Sequence, residues 1–149
     1  MSYASQSELT TRYGARELVQ VTDKTTPPSG SADATTIARA CTDADGEIES
    51  RLGVRYVVPI APTVPTVVVD IACRIARYKL HEDRATPKIR TDYEDAIKFL
   101  SDVAAGRANI PGLVDSTGSP TTPDDVSVGR FAVSAPPMRI TSCVMDLMP

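Results

Sequence analysis

Hydrophobic residues are concentrated most densely between Val64 and Asp83, in a stretch that reads VPTVVVDIACRIARYKLHED. On a helical repeat, almost all of its circumference is apolar. A helix of this kind cannot lie on the surface of the protein. The pattern therefore predicts a central helix over residues 64–83 that other elements enclose. The polar side chains fall on one narrow stripe, at spacings of four, three and four residues: Asp70, Arg74, Arg77 and His81.

An amphipathic helix is predicted before this central segment, over residues 34–52. Its apolar positions recur at spacings of four, three, four and four residues, which places them on one face. Asp33 is a suitable N-terminal cap and Gly53 a suitable stop. Gly46 lies in the helix interior, where glycine costs about 1 kcal/mol relative to alanine, so we expect another element to approach the backbone closely there.

A second amphipathic helix is predicted after the central segment, over residues 87–104. Thr86 is its expected cap, Pro87 suits its first turn, and Gly106 is expected to end it. Two short helices separated by Gly14 are predicted near the N-terminus. The fold is therefore predicted to be mainly α, a small helical bundle around the central buried helix.

The character of the chain changes at about residue 113. Six of the twelve prolines follow residue 107, and the segment VDSTGSPTTPDD has almost nothing to bury. The next residues, VSVGRFAVS, alternate weakly between apolar and polar, with Gly129 as a candidate β-bulge. The end is apolar again but too short for its own core. We predict a helical domain over 1–112 and an extended arm over 113–149, in which short β-strands can form and which needs a partner surface.

Composition excludes several classes of protein. A net charge of −3 does not favour general nucleic-acid binding or attraction to an anionic membrane. Asp70 and Arg74 interrupt the longest apolar run, which falls short of the ~20 residues of a membrane span, and the N-terminus lacks the features of a signal peptide. Three cysteines without a CxxC spacing predict free thiols in a reducing cytosol. Cys41 and Cys73 fall among apolar residues and are expected in the core.

Two stretches superficially resemble metal sites. Residues 43–48 imitate the middle of a calcium-binding EF-hand loop, but Cys41 and Leu52 would occupy ligand positions, so a solvated acidic helix face is favoured. His81 and the two acids after it have no second histidine, and a cation near a helix end is favoured there. The chain has no phosphate loop, GxSxG, HExxH or Rossmann fingerprint. We expect no catalytic residue, metal or cofactor, and a protein that is not an enzyme.

Basic residues cluster in and after the central helix. Acidic residues from Asp70 to Asp95 are interleaved with them, so the local charge is close to balanced. Ion pairing within or between subunits is the favoured interpretation, and contact with DNA phosphates, as in a small helical DNA-binding or packaging factor, is the alternative. Six of the sixteen basic residues lie in one 17-residue window: Arg74, Arg77, Lys79, Arg84, Lys88 and Arg90.

Five motifs follow one another along the first three quarters of the chain: Tyr13-Gly14, ELVQVTD at 17–23, ADGEIESRLGVRYVVP at 44–59, Pro65 with IACRIARY at 71–78, and YEDAIKFL at 93–100 closing at Gly106. This ordered set resembles the head-to-tail connector, or head completion, proteins of Mu-like tailed bacteriophages. No single motif is diagnostic, but their order along the chain is fairly specific.

The resemblance implies a structural virion protein without enzymatic activity. Such proteins are expected to be helical adaptors that form a ring, twelve-fold like the portal, in the virion neck after assembly in the host cytoplasm. Expected partners are further copies of the chain, the portal protein and a tail-side terminator or completion protein, with DNA passing through the lumen without specific binding and no membrane involved. The candidate contact residues on this hypothesis are Asp70, Arg74, Arg77, Phe131, Met138, Arg139, Ile140, Val144 and Leu147.

Overall fold

The computed structural model describes residues 2–23, 30–81 and 84–115. These residues form a mainly α fold, which confirms the predicted class. Within them, β-structure is confined to one isolated antiparallel bridge between Tyr56 and Asp115. The helices in chain order are α1 (Gln6–Tyr13), α2 (Ala15–Thr22), α3 (Ala34–Leu52), α4 (Thr66–His81) and α5 (Pro87–Ala104).

Local sequence signals define most helix boundaries. The Ser5 hydroxyl accepts a hydrogen bond from the Glu8 amide at 3.2 Å and caps α1. Gly14 ends α1 and begins α2 with a φ of +87°, a backbone conformation that favours glycine. The Asp33 carboxylate accepts from the Thr35 amide at 2.9 Å and caps α3, as predicted.

The central helix α4 contacts all four of the other helices. Its observed bounds lie two residues inside the predicted range at each end. Enclosure is incomplete in the first turn, where the Val67 side chain is 46% exposed, because the chain has only just entered the bundle from its proline-rich approach. Val69 and Tyr78 are partly buried. The buried residues of α4 are Val68, Ile71, Ala72, Cys73, Ile75, Ala76 and Leu80.

The prediction that another element approaches the backbone closely at Gly46 is wrong. Gly46 is exposed in the middle of α3, and a Cβ atom built there meets nothing within 4 Å. The acidic stretch around it is regular helix, and not the loop that an EF-hand requires. A close contact instead occurs at Gly106, where a Cβ would lie 2.8 Å from the Arg55 guanidinium and φ is +76°.

The described body continues to Asp115. Leu113 is buried in the core, and the Val57 amide donates a hydrogen bond to the Val114 carbonyl at 3.0 Å. The division of the chain at residue 113 stays a prediction. Leu113 belongs to the core of the helical body, and residues 114–115 pair with residues 56–57 between α3 and α4. Residues 116–149, which carry most of the predicted arm with its candidate strands and Gly129, lie outside the described residues.

Candidate partner-binding groove

A polar groove of about 560 Å³ lies where α1, α2, α4 and α5 meet. Three of the predicted contact residues, Asp70, Arg74 and Arg77, project into it from the polar stripe of α4. The side chains that line the groove are Arg12, Tyr13, Glu17, Asp70, Arg74, Arg77, Lys88 and Asp92.

At one end of the groove, the Glu17 carboxylate from α2 receives two side chains of α4. Arg77 donates to it from Nε at 2.6 Å and from Nη2 at 2.9 Å, and His81 Nε2 lies 3.1 Å from Glu17 Oε1. Burial alone would raise the pKa of Glu17, but the hydrogen bonds from Arg77 and His81 outweigh it and lower the pKa. The Arg77 guanidinium also lies over the Tyr13 ring, 4.3 Å from its centroid.

At the other end, the Asp70 carboxylate forms ion pairs with two arginines. Asp70 Oδ1 accepts from Arg12 Nη1 at 2.6 Å, and Asp70 Oδ2 lies 2.8 Å from Arg74 Nη2. Arg12 also pairs with Glu8 within α1 at 3.4 Å. The Asp70 and Arg74 side chains remain 36% and 41% exposed, so they lie at the rim where another molecule can reach them.

The predicted ion pairing of the basic window is confirmed for half of its members. Arg74 pairs with Asp70, Arg77 with Glu17, and Lys79 Nζ lies 3.1 Å from Glu47 Oε2. Within the part of the chain that the structure describes, Arg84, Lys88 and Arg90 form no ion pair. Carboxylates of the same chain therefore neutralise half of the cations in this window, which reduces the positive charge that it can offer to phosphates.

A second polar cluster joins α3, α4 and α5 around Glu47. The Tyr93 hydroxyl donates to Glu47 Oε1 at 2.9 Å, and the Tyr93 ring stacks on that of Tyr78 with centroids 4.2 Å apart. Burial would raise the pKa of Glu47, but hydrogen bonds from Tyr93 and Lys79 lower it. Glu47 also pairs with Arg51, four residues later in α3, at 3.6 Å.

The sequence patterns did not assign five of the groove residues to a site. A charged residue without an opposite charge three or four positions away is a signal that could have identified Glu17. Glu17 has no basic residue three or four positions away, and Arg77 has no acidic residue at those spacings. Charges without a local helical partner are candidates for long-range pairs. The residues that the predictions missed are Arg12, Tyr13, Glu17, Lys88 and Asp92.

The described residues contain no group of three or more histidine, cysteine, aspartate or glutamate side chains that could hold a metal ion. Cys41 and Cys73 are buried as predicted, and burial raises the pKa of each thiol to about 11. No helix in the described ranges combines the length and apolar character of a membrane span. The remaining predicted contact residues lie outside the described residues: Phe131, Met138, Arg139, Ile140, Val144 and Leu147.

Comparison with known proteins identifies the family. Residues 3–129, which include the whole groove, match the family described as Bacteriophage Mu, Gp36. The chain belongs to the phage Mu Gp36 family. Its relatives include the Mu-like prophage FluMu protein gp36 of Haemophilus influenzae, which is 42% identical over 113 residues that span 76% of this chain and 77% of the relative. Gene product J of Escherichia phage Mu is 27% identical over 126 residues, 85% of this chain and 87% of that protein.

The resemblance to a protein of Mu-like phages is therefore confirmed at the level of the family. Both relatives come from phage Mu or a Mu-like prophage, so this chain is a bacteriophage-type protein. Neither name specifies a place in the virion, so the connector role remains to be proposed.

Proposed function

We propose that this Gp36 protein is a structural, non-enzymatic subunit of the phage neck. Copies of the chain assemble into a ring between portal and tail, and the ring extends the channel through which DNA passes. The observation that carries the proposal is that a member of a Mu phage family presents a closed helical body with a half-exposed ionic rim at Asp70 and Arg74.

The charge distribution supports a channel component. The chain carries a net charge of −3, and α4 neutralises its arginines with carboxylates from its own chain. A subunit that lines a DNA passage cannot bind phosphates tightly, because each neutralised phosphate adds to the affinity and would retain the DNA. Charge that is already paired meets this requirement.

The groove supports contact between subunits. Its ion pairs are partly exposed, and rim charges of this kind set the specificity and register of an interface more than its affinity. In the proposed ring, Asp70, Arg74 and Arg77 contact a neighbouring copy or the portal protein. The arm beyond Asp115 provides further contacts, including those of Phe131, Met138, Arg139, Ile140, Val144 and Leu147, to a neighbour or to the tail-side completion protein.

Ring stoichiometry and location follow from the same proposal. A ring that sits directly on the portal is expected to share its twelve-fold symmetry, because matched symmetry allows every subunit to make the same contact. The protein is then located in the virion neck and passes through the host cytoplasm during assembly. No cofactor is required for this role.

A truncation after Asp115 tests the role of the arm. The cut spares Leu113 and the hydrogen bond between Val57 and Val114, so we expect the helical content of the purified body to persist. In a phage that carries the truncated gene, we expect filled heads without attached tails. The matched control is Cys143→Ser in the full-length chain, for which we expect normal particles. Infectious, tailed particles from the truncated gene would refute the role of the arm.

A further inference from the structure

Two exposed valines lie opposite each other where the described chain ends. Val57 is 53% exposed and Val114 is 40% exposed, and Val54, three residues before Val57, is 75% exposed. These three are among four large hydrophobic side chains that are exposed in the described residues, the fourth being Val67 at the start of α4. Exposed apolar side chains are therefore concentrated in the two short segments that carry Val57 and Val114. These two residues are here named the valine pair.

The backbone at the valine pair is a fragment of antiparallel sheet. Tyr56 bridges Asp115, and the Val57 amide donates to the Val114 carbonyl at 3.0 Å, which sets Val57 opposite Val114. Side chains alternate across these segments, since Tyr56 and Leu113 are buried while the valine pair is exposed. Two paired strands are marginal alone, and a further strand hydrogen-bonded at their edge would place its apolar side chains against the exposed valines on the same face.

The chain itself supplies a segment of matching pattern. It leaves the bridge at Asp115, continues through the polar residues 116–125, and reaches VSVGRFAV at 126–133. This segment places valines at alternate positions before Gly129 and an alternating Phe131 and Val133 after it, the pattern of a strand with one apolar face and a bulge. Residues 136–149 are less suited, because Pro136 and Pro137 remove two successive amide donors at their start.

Tethering favours the segment of the same chain over that of a second copy. The ten linker residues 116–125 span at most about 33 Å when extended, which is ample for a return to the adjacent edge. A flexible tether of this length gives an effective concentration on the order of millimolar, well above a micromolar concentration of free copies. An intramolecular contact is therefore the first to form in the isolated protein.

We propose that in the free chain residues 126–133 add to the Tyr56–Asp115 bridge of the same molecule and cover the valine pair. A partner that binds residues 126–133 then has to displace them from the valine pair. The inference is independent of the proposed function, because it concerns the isolated protein and holds or fails without reference to the phage neck.

Hydrogen–deuterium exchange of the full chain tests the contact. Peptides from 126–133 should exchange roughly tenfold or more slowly than unstructured references, whereas linker peptides from 116–125 should not. Val57→Asp and Val114→Asp should each remove this protection. The matched control is Val67→Asp, which places the same change at an exposed valine of α4, and it should leave the protection intact.

Three outcomes would overturn the proposal. They are exchange of 126–133 at the unprotected rate, protection that survives both Val57→Asp and Val114→Asp, and protection that increases with protein concentration, which would make a second copy the occupant. Because an aspartate can also loosen the body, a disulfide provides a second measurement.

The disulfide experiment uses Val57→Cys with Val128→Cys in a Cys143→Ser chain, in which Cys41 and Cys73 are buried. The expected product of mild oxidation is a monomer with one intramolecular disulfide. Val67→Cys with Val128→Cys is the control and should not form this product. Absence of the disulfide from the first pair, or its formation between molecules, contradicts the proposal.

Discussion

Arg77 and Glu17 form a two-point ion pair that attaches α2 to the central helix, with N–O distances of 2.6 and 2.9 Å. Sixty residues separate them in the chain. Helices of eight residues, such as α1 and α2, are too short to be stable alone and depend on their contacts with the body. The ion pairs of the groove therefore attach the N-terminal helices to the central helix, in addition to their proposed role in contacting partners.

Replacement of Glu17 should weaken this attachment in a pH-dependent manner. Glu17→Gln leaves Arg77 without its carboxylate and should lower the free energy of unfolding by about 1–2 kcal/mol at neutral pH. The pKa of Glu17 is lowered in the folded state, so the unfolded state binds more protons as the pH falls through 4.5 and below. The stabilisation by Glu17 is present above that window and is lost on acidification. Urea titrations from neutral to acidic pH measure the difference.

Glu8→Gln is the matched control for Glu17→Gln. Glu8 forms an i,i+4 pair with Arg12 on the surface of α1, and such pairs contribute roughly 0.3–0.5 kcal/mol. We expect the two variants to differ clearly at neutral pH, and the wild type and Glu17→Gln to converge in acid. A constant difference at every pH would contradict the assigned role of the Glu17 charge.

The amphipathic pattern of α5 predicts a large cost for truncating its buried face. Leu100 is fully buried, so Leu100→Ala should lower the free energy of unfolding by about 2–5 kcal/mol through lost apolar contact and the cavity left behind. Val54→Ala removes methyl groups from an exposed side chain and should change stability by less than about 0.5 kcal/mol. Chemical denaturation of both variants checks the prediction, and equal effects would refute the assigned core.

The reaction rates of the buried cysteines should show that the core around α4 excludes solvent and reagents. Burial raises the pKa of Cys41 and Cys73 to about 11, so little reactive thiolate is present at neutral pH. In the Cys143→Ser variant, we expect both remaining thiols to react with a disulfide reagent only as fast as the protein opens. Full reactivity should appear in denaturant. Rapid reaction of either thiol in the native variant would contradict the described packing.

The full chain should not behave as a DNA-binding protein. Because Arg74, Arg77 and Lys79 are paired with carboxylates, we expect a Kd for duplex DNA weaker than about 10⁻⁴ M even at about 50 mM salt. A fluorescence anisotropy titration measures this. Tighter binding that declines steeply with added salt would favour the alternative of a DNA-binding or packaging factor.

Sequence patterns predicted the parts of this fold that depend on local interactions. The bounds of α3, its Asp33 cap and the turn at Gly14 were predicted correctly, because caps, positive φ and helical periodicity involve residues close in sequence. The polar stripe of α4 was also identified, but its pairing with α1 and α2 was not. Periodicity shows which face is polar and leaves open which distant residue meets it.

Tyr3 illustrates what such patterns cannot reveal. Its hydroxyl donates to Glu49 at 2.7 Å and accepts from the Ile60 amide at 3.0 Å, which attaches the N-terminus to α3 and to the loop before α4. Burial raises the pKa of Tyr3 to about 12, with the Ile60 amide acting in the opposite direction. An isolated tyrosine ahead of α1 carries no periodic signal for contacts 46 and 57 residues away. Gly46 shows the opposite failure. A glycine inside a helix predicted a close contact with another element, but no atom of another element in the described chain lies near it.

Cryo-electron microscopy of the virion neck tests the central claim most directly. Our account predicts a ring between portal and tail, with the symmetry of the portal, in which each subunit fits the five-helix body and α4 is enclosed by its own chain. The rim at Asp70 and Arg74 should face a neighbouring subunit or the portal. A neck in which this protein is absent, or in which portal and tail meet without such a ring, would contradict the account.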